Sequence, residues 1–279
     1  MSHTIASAID WAVKQLAASD SAKLDAELLL AYLLDKNRTW LKTWPDHILS
    51  QSSFAQFQAL IKRRVDGEPV AYILGQQDFW TFTLKVSAAT LIPRPETEHV
   101  IEYALEQLPV DGAVKVVDLG TGTGAIAMAI ASERPGARVW AVDFSEQALA
   151  VAEHNRKKYQ LNNMVCQQGH WLDDWSHGEL DMIVSNPPYI ADNDPHLHDL
   201  SYEPQSALVA EDHGLSDIRY ITEQAVIYLK PGGWLVFEHG FEQGKPVRQI
   251  LEQSGFQLVA TIKDYAGLAR VTVGRKAEL

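Results

Sequence analysis

Val116-Val-Asp-Leu-Gly-Thr-Gly-Thr-Gly-Ala125 is the stretch from which the fold can be read. Its apolar start reads as a buried strand, and it passes through Gly120, Gly122 and Gly124 directly into a helix beginning at Ala125. Glycines at such a junction let the backbone turn sharply and approach a ligand, while the helix N-terminus favours negative groups. Working outward, the patterning predicts strands over 114–118, 139–143, 164–168, 182–185 and 234–238. Helices are predicted over 125–133, 146–159, 215–229 and about 247–254. Strand–helix alternation with short connections specifies a mainly parallel α/β sheet covered on both faces. Two closing β-type runs, 256–262 and 268–273, have no room for a helix between them and are expected to pair antiparallel.

Upstream the period changes. Residues 5–34 carry apolar side chains at helical spacing, split by Ala18-Ser-Asp-Ser21, and a further helix is expected over 52–64 with Ser50 or Ser52 as cap. Alternation around Phe79 favours an extended hairpin, and Ile92-Pro-Arg-Pro95 then disfavours helix until about Glu96. The expected organisation is a small all-α domain over 1–77, followed by an α/β domain over 78–279 that includes a connecting hairpin at about 78–93.

The chain has 279 residues, with 24 Lys and Arg against 36 Asp and Glu, for a net charge of −12. That balance argues against a broad nucleic-acid surface, because such affinity comes largely from cations displacing counterions. Lys62-Arg-Arg64 is a local basic cluster, read as a solvated helix face or a dock for an acidic protein surface. One cysteine, Cys166, lies in a strand expected to be buried and cannot form an internal disulfide, and the N-terminus lacks a signal-peptide pattern, so a cytoplasmic location is expected. No apolar run approaches the roughly 20 residues of a membrane-spanning helix. His196, His198 and His213 lie in an acidic loop without recognised ligand spacing, and no metal is expected.

Asp143 ends the strand after the glycine loop, where a carboxylate can accept hydrogen bonds from both ribose hydroxyls of an adenosine cofactor, or merely cap the helix starting near Ser145. The loop alone also satisfies the loose dinucleotide pattern, so NAD fits it as well. A second motif, Asn186-Pro-Pro-Tyr189, follows the apolar Met182-Ile-Val-Ser185 strand. Pro187 and Pro188 fix a rigid turn and contribute no N–H. The Asn186 side-chain oxygen and the Pro187 carbonyl can each accept one N–H of a planar amide or amine, leaving its lone pair directed at an electrophilic methyl. Tyr189 can stack on the planar group.

With these motifs the chain resembles the PrmC/HemK family of N5-glutamine methyltransferases that modify peptide-chain release factors. The likeness extends to Gly67-Glu-Pro-Val-Ala-Tyr72, Leu91-Ile-Pro-Arg-Pro-Glu-Thr-Glu98, Tyr202-Glu-Pro204, Ala207-Leu-Val209 and Phe237-Glu-His-Gly240. It implies a seven-stranded methyltransferase fold using S-adenosylmethionine, behind a helical N-terminal domain that helps recognise the protein substrate. Asp118 is similar to the strand-one acid that orders the cofactor loop. By the resemblance Gly120, Thr121, Gly122, Thr123, Gly124, Asp143, Trp171 and Asn186 contact the cofactor. The substrate glutamine is held by Asn186, Pro187, Pro188 and Tyr189, with Asn186, Pro187 and Tyr189 catalytic. The implied reaction methylates the glutamine of a Gly-Gly-Gln motif in class 1 release factors, releasing S-adenosylhomocysteine. The protein is expected to act as a monomer, without nucleic acid or membrane.

His170 stands where members often have Asp before the tryptophan, so the adenine amino group is expected to find Asp173 or a backbone carbonyl instead. Arg94 either orients a lid or pairs with Glu96 or Glu98, and Glu238 has no assigned role. The alternatives are a ribosomal-protein glutamine methyltransferase, a DNA adenine methyltransferase that flips its base, and a non-enzymatic S-adenosylmethionine-binding regulator. No Ser-His-Asp or Cys-His arrangement is evident, so catalysis is expected to rest on orientation, worth roughly 7–11 kcal/mol in well-ordered systems.

Overall fold

The computed structural model describes residues 3–278 and divides into two compact units, one ending at Gln76 and the other beginning at Gln77. In the first, Thr4 caps α1 (Ile5–Gln15) through a reciprocal bond with Ser7, α2 spans Ala22–Leu33, and Asn37 caps the short α3 (Arg38–Thr43). Ser50 caps α4 (Gln51–Val65), and Pro69 precedes α5 (Val70–Leu74). Ile5, Leu29, Leu30, Leu41, Phe57 and Ile61 bury their side chains together at 0–1% exposure. Side chains that fully buried stabilise by about 1.5–3 kcal/mol each, so they hold this small unit together.

This unit is not purely helical, because His3–Thr4 pairs antiparallel with Ile48–Leu49. Its basic cluster is neutralised within the unit: Lys62 meets Asp66 at 2.8 Å, Arg63 meets Glu68 at 2.5 Å and Arg64 meets the buried Asp25 at 2.8 Å. A free basic patch of the kind that binds phosphates is therefore not formed there.

A hairpin of Gln76–Phe79 and Phe82–Lys85, all but its first residue in the second unit, is shorter than the expected 78–93. Trp80 takes the tight turn at φ +54°, donating its backbone N–H to Glu98 and its indole N–H to Glu133. A 3-10 turn over Pro95–Thr97 then leads into α6 (Glu98–Gln107).

Seven strands follow: β1 (Lys115–Leu119), β2 (Arg138–Asp143), β3 (Met164–Gln168), β4 (Leu180–Ser185), β5 (Leu229–Glu238), β6 (Phe256–Lys263) and β7 (Ala269–Lys276). They interleave with α7 (Ala125–Glu133), α8 (Glu146–Lys158), α9 (Ser216–Tyr228) and α10 (Gly244–Gln253). Their order is β6-β7-β5-β4-β1-β2-β3, with β7 antiparallel to both neighbours and the rest parallel. Pro231-Gly-Gly233 interrupts β5 as a bulge, since pairing jumps from Leu180 with Leu229 to Met182 with Trp234.

The alternation of β side chains sorts the core. Val116, Met182 and Val184 pack with α6 and α7, whereas Val117, Leu119 and Ile183 pack with α9 and α10 on the other face. Strand β3 lies at the sheet edge, so Val165 is exposed and Cys166 only half-buried, contrary to the buried strand expected there. The chain leaves β1 towards β2 and returns through β4 on its other side. Ligands of open α/β sheets bind at such a reversal, outside the strand C-termini. No helix among the described residues is long and apolar enough to cross a membrane.

Candidate active site

Leu119 and Ser185 are paired neighbours at the ends of β1 and β4, and the Ser185 hydroxyl donates to the Leu119 carbonyl at 2.7 Å. This fully buried bond ties the base of the glycine loop to the base of Asn186-Pro-Pro-Tyr189, two motifs separated by more than 60 residues in the chain. Between them lies a cavity of about 420 Å³. Gly120, Thr121, Gly122, Thr123, Asp143, Trp171, Asn186 and Pro188 line it. Gly124, Pro187 and Tyr189 do not.

Each glycine has its own reason. Gly122 has φ +55°, and a Cβ there would meet nothing within 4 Å, so a side chain would enter the cavity itself. At Gly120 a Cβ would press on the Trp171 ring at 3.3 Å. Gly124 serves packing rather than the cavity, since a Cβ there would meet Ala152 and Met164 at 3.3 Å. Two acids order the loop. Buried Asp118 accepts from the Thr121 hydroxyl at 2.6 Å and the Ala127 N–H at 3.2 Å. Asp143 accepts from the N–H groups of Gly122 at 2.8 Å and Ser145 at 2.9 Å. Capping of α8 falls to Ser145, which accepts from Ala148, so Asp143 keeps lone pairs for a ligand in the cavity. Asn155, fully buried, holds the Thr123 carbonyl and both backbone groups of Lys85, fastening the loop to the hairpin.

Burial pushes the Asp118 carboxyl up to about 7 against the hydrogen bonds of Thr121 and Ala127, and Glu238 likewise to about 7 against a bond from Thr97. Desolvation also raises Asp143 and Asp217. Unfolded, such carboxyls ionise near pH 4. The native state therefore binds more protons between about pH 4 and 7, and their stabilisation is full below that window and lost as pH rises through 7. We expect the urea midpoint of the wild type to fall between pH 5 and pH 8 more than that of Asp118→Asn. Parallel midpoints would remove Asp118 from this account.

The tryptophan end of the cavity differs from expectation. Asp173 does not line it: its carboxylate is engaged by His170 at 2.8 Å and by Tyr220 and Gln224 at 2.6 Å each. Asp217, in the first turn of α9, does line the cavity beside Trp171 and His170. No pattern singled it out, because an acid in a helix's first turn is ordinary. Arg94 pairs with the buried Glu203, not with Glu96 or Glu98, and the other Glu203 oxygen accepts from the Ile92 N–H at 2.9 Å. The two quoted motifs around residues 92 and 203 thus clasp one another. The loop after Tyr189 closes through parallel bridging of Ile190 with Val209, and its Pro204, Ser206 and Ala207 border the cavity.

At the other end the Asn186 side-chain oxygen is buried without a partner, and its Nδ2 lies 3.5 Å from the Thr97 hydroxyl. The Tyr189 carbonyl is fixed by Gln243 Nε2 at 2.9 Å, and a Cβ at Gly214 would collide with that carbonyl at 2.0 Å. Burial and the nearby Glu238 push the Tyr189 phenol well above its ordinary range, so it stays protonated. Cys166 is raised to about 12 by burial and Glu153, which removes it as a thiolate nucleophile. Among the described residues no group of three His, Cys, Asp or Glu could hold a metal ion; His198 and Asp199 approach only to 3.7 Å. The side chain of His196 lies outside the described residues.

A cavity lined by Asp143 and Asp217, with a glycine loop and the Trp171 ring beside them, offers groups suited to a nucleoside bearing positive charge. Residues 7–75 match the family model of the PrmC N-terminal domain, and 101–201 that of the methyltransferase small domain. The release factor glutamine methyltransferase of Aliivibrio fischeri is 50% identical, covering 93% of this chain and 92% of that protein. That of Shewanella oneidensis is 48% identical, covering 97% and 96%. A solved methyltransferase from Pyrococcus furiosus shares the fold with a TM-score of 0.55 at 18% identity, covering 80% of this chain and 99% of that one. The chain belongs to the release factor glutamine methyltransferase family.

Proposed function

We propose that the protein transfers a methyl group from S-adenosylmethionine to the side-chain amide nitrogen of the Gly-Gly-Gln glutamine of class 1 peptide-chain release factors. The observation that carries this reading is the junction of a nucleoside-sized, acid-lined cavity with a buried and unpartnered Asn186 oxygen at its rim. When bound, S-adenosylmethionine supplies a sulfonium-activated methyl. Asp143 would hold the ribose hydroxyls, Gly120 and Gly122 would let the cofactor lie close to the loop backbone, and Trp171 would offer its face to adenine.

At the acceptor end, Asn186 Oδ1 and the Pro187 carbonyl each take one N–H of the substrate amide. An unpaired buried acceptor costs about 1–3 kcal/mol, which a substrate N–H recovers. Holding both N–H groups turns the nitrogen lone pair towards the methyl. Pro188 and Tyr189 confine the amide plane, and the surrounding protein excludes water. The nitrogen becomes far more acidic after transfer, so no strong base is required. The helical N-terminal unit is assigned to recognition of the release factor. A substrate in translation termination supports a cytoplasmic location.

We assign the adenine amino group to Asp217, which lines the cavity, since Asp173 lies outside that lining and accepts three hydrogen bonds elsewhere. Removing one charge-assisted bond costs about 1.5 kcal/mol, so Asp217→Ala should weaken S-adenosylmethionine binding roughly 10-fold by calorimetry. Unchanged affinity would return that role to the backbone.

Purified protein with labelled S-adenosylmethionine, offered a class 1 release factor, total ribosomal protein and duplex DNA separately, tests the activity. Label should enter the release factor. Label confined to ribosomal protein or to DNA would replace the reading with the corresponding alternative.

A further inference from the structure

Pro187 and Pro188 carry no N–H, so they supply no donors to close the turn that ends in Tyr189. A side chain from elsewhere in the fold supplies one. Gln243 stands at the cap position of α10, yet its side chain does not cap that helix. Its Nε2 donates instead to the Tyr189 carbonyl at 2.9 Å and to the His213 carbonyl at 3.1 Å, while its Oε1 accepts from the Gly240 N–H at 2.8 Å. Both amide protons are thereby spent. Reversing the carboxamide would set its oxygen against two carbonyls and its NH2 against an N–H, so its orientation is fixed.

The His213 carbonyl belongs to a strained turn. Asp212, His213 and Gly214 stand consecutively at φ +51°, +56° and +81°, a region that residues with side chains hold only where their surroundings impose it. Arg219 meets Asp212 at 2.8 Å, and Gln243 holds His213. This turn brings the Gly214 backbone so close to the acceptor motif that a Cβ there would meet the Tyr189 oxygen at 2.0 Å and Gln243 Nε2 at 2.8 Å.

We infer that Gln243 is a positioning residue for methyl transfer, pinning the far end of the Asn186–Tyr189 turn to the loop after β5 and to the left-handed turn before α9. Ser185 holds the near end, through its bond to Leu119. Between these two anchors lie the Asn186 oxygen and the Pro187 carbonyl. Ile190, the next residue, is tied to Leu208 and Ala210 by its own backbone, so loss of Gln243 shifts the turn without unfolding it. A shifted turn carries both acceptors, and the amide they hold, out of line with the methyl. The inference rests on the proposed role of this turn as holder of the substrate amide.

The test uses the full-length protein with S-adenosylmethionine and a class 1 release factor. Gln243→Glu keeps the shape and the acceptor for Gly240 but removes both N–H donors; Gln243→Leu removes donors and acceptor without adding charge. Each should lower kcat by about 10- to 100-fold, the scale of a reactant displaced by about 1 Å, with the release-factor KM and the S-adenosylmethionine affinity within about 3-fold of wild type. A side chain that only filled space would leave Gln243→Glu at the wild-type rate. One that only supported the fold would lose S-adenosylmethionine affinity together with kcat, and either result overturns the inference. Should Gln243→Leu fail to fold, Gln243→Glu decides it. Asn186→Ala, measured alongside, separates the two readings: full turnover there removes the acceptor assignment itself, whereas an inactive Asn186→Ala beside wild-type rates in the Gln243 variants rejects the role of Gln243 alone.

Discussion

Asn186→Ala should lower kcat by on the order of 10²- to 10³-fold, the range found when one preorganised hydrogen-bonding group is removed from a reaction centre. The alanine loses the oxygen that receives one substrate N–H, and the amide lone pair is then free to rotate away from the methyl. In the proposed reading the cofactor is held mainly by Asp143, Trp171 and the glycine loop, so S-adenosylmethionine affinity should change by no more than about 3-fold. Steady-state methyl transfer and calorimetry on the same preparation separate the two effects. Because Ser185 ties the motif to Leu119 through its own hydroxyl, the turn itself should persist in the variant.

Asp143→Ala should produce the opposite pattern. Its carboxylate orders Gly122 and Ser145, and in the proposed reading it also receives both ribose hydroxyls. Two hydrogen bonds to a charged group are worth about 1.5–3 kcal/mol each, so cofactor affinity should weaken by about 10²-fold or more. At saturating S-adenosylmethionine, kcat should remain within about 3-fold, because the acceptor end is untouched. A dissociation constant unchanged by the substitution would mean that Asp143 serves only the loop backbone.

How much of this was legible in the sequence depends on the range of the interaction concerned. Helix α7 begins and ends where the glycine loop and apolar run predict, and β3 matches its pattern residue for residue, because both are set by local signals. The antiparallel closing strands follow from a gap too short for a helix. In contrast, α3 is only six residues long and carries no complete helical period, and the His3–Thr4 pairing with Ile48–Leu49 is too short to leave a pattern. Cys166 lies in a strand whose apolar residues look buried in sequence, yet β3 has a neighbour on one side only.

The same division runs through the site. Asp118, Asp143 and Asn186 stand at strand ends, where sequence position alone places them near a ligand. Arg94 meets Glu203 across 109 residues, and Asp217 reaches the cavity only because α9 packs behind Trp171. Thr97 lay within a quoted motif, but its connection to Asn186 spans 89 residues and has no local signature. His170 departs from the family pattern; its ring bonds to Asp173, which Tyr220 and Gln224 also hold, outside the cavity lining.

The most direct test incubates the purified protein with S-adenosylmethionine and a class 1 release factor, then measures by tandem mass spectrometry the peptide that carries Gly-Gly-Gln. The account predicts one added methyl, located on the glutamine side chain and absent when Asn186→Ala replaces the wild type. An unmodified glutamine, with S-adenosylmethionine demonstrably bound to the protein, would contradict it.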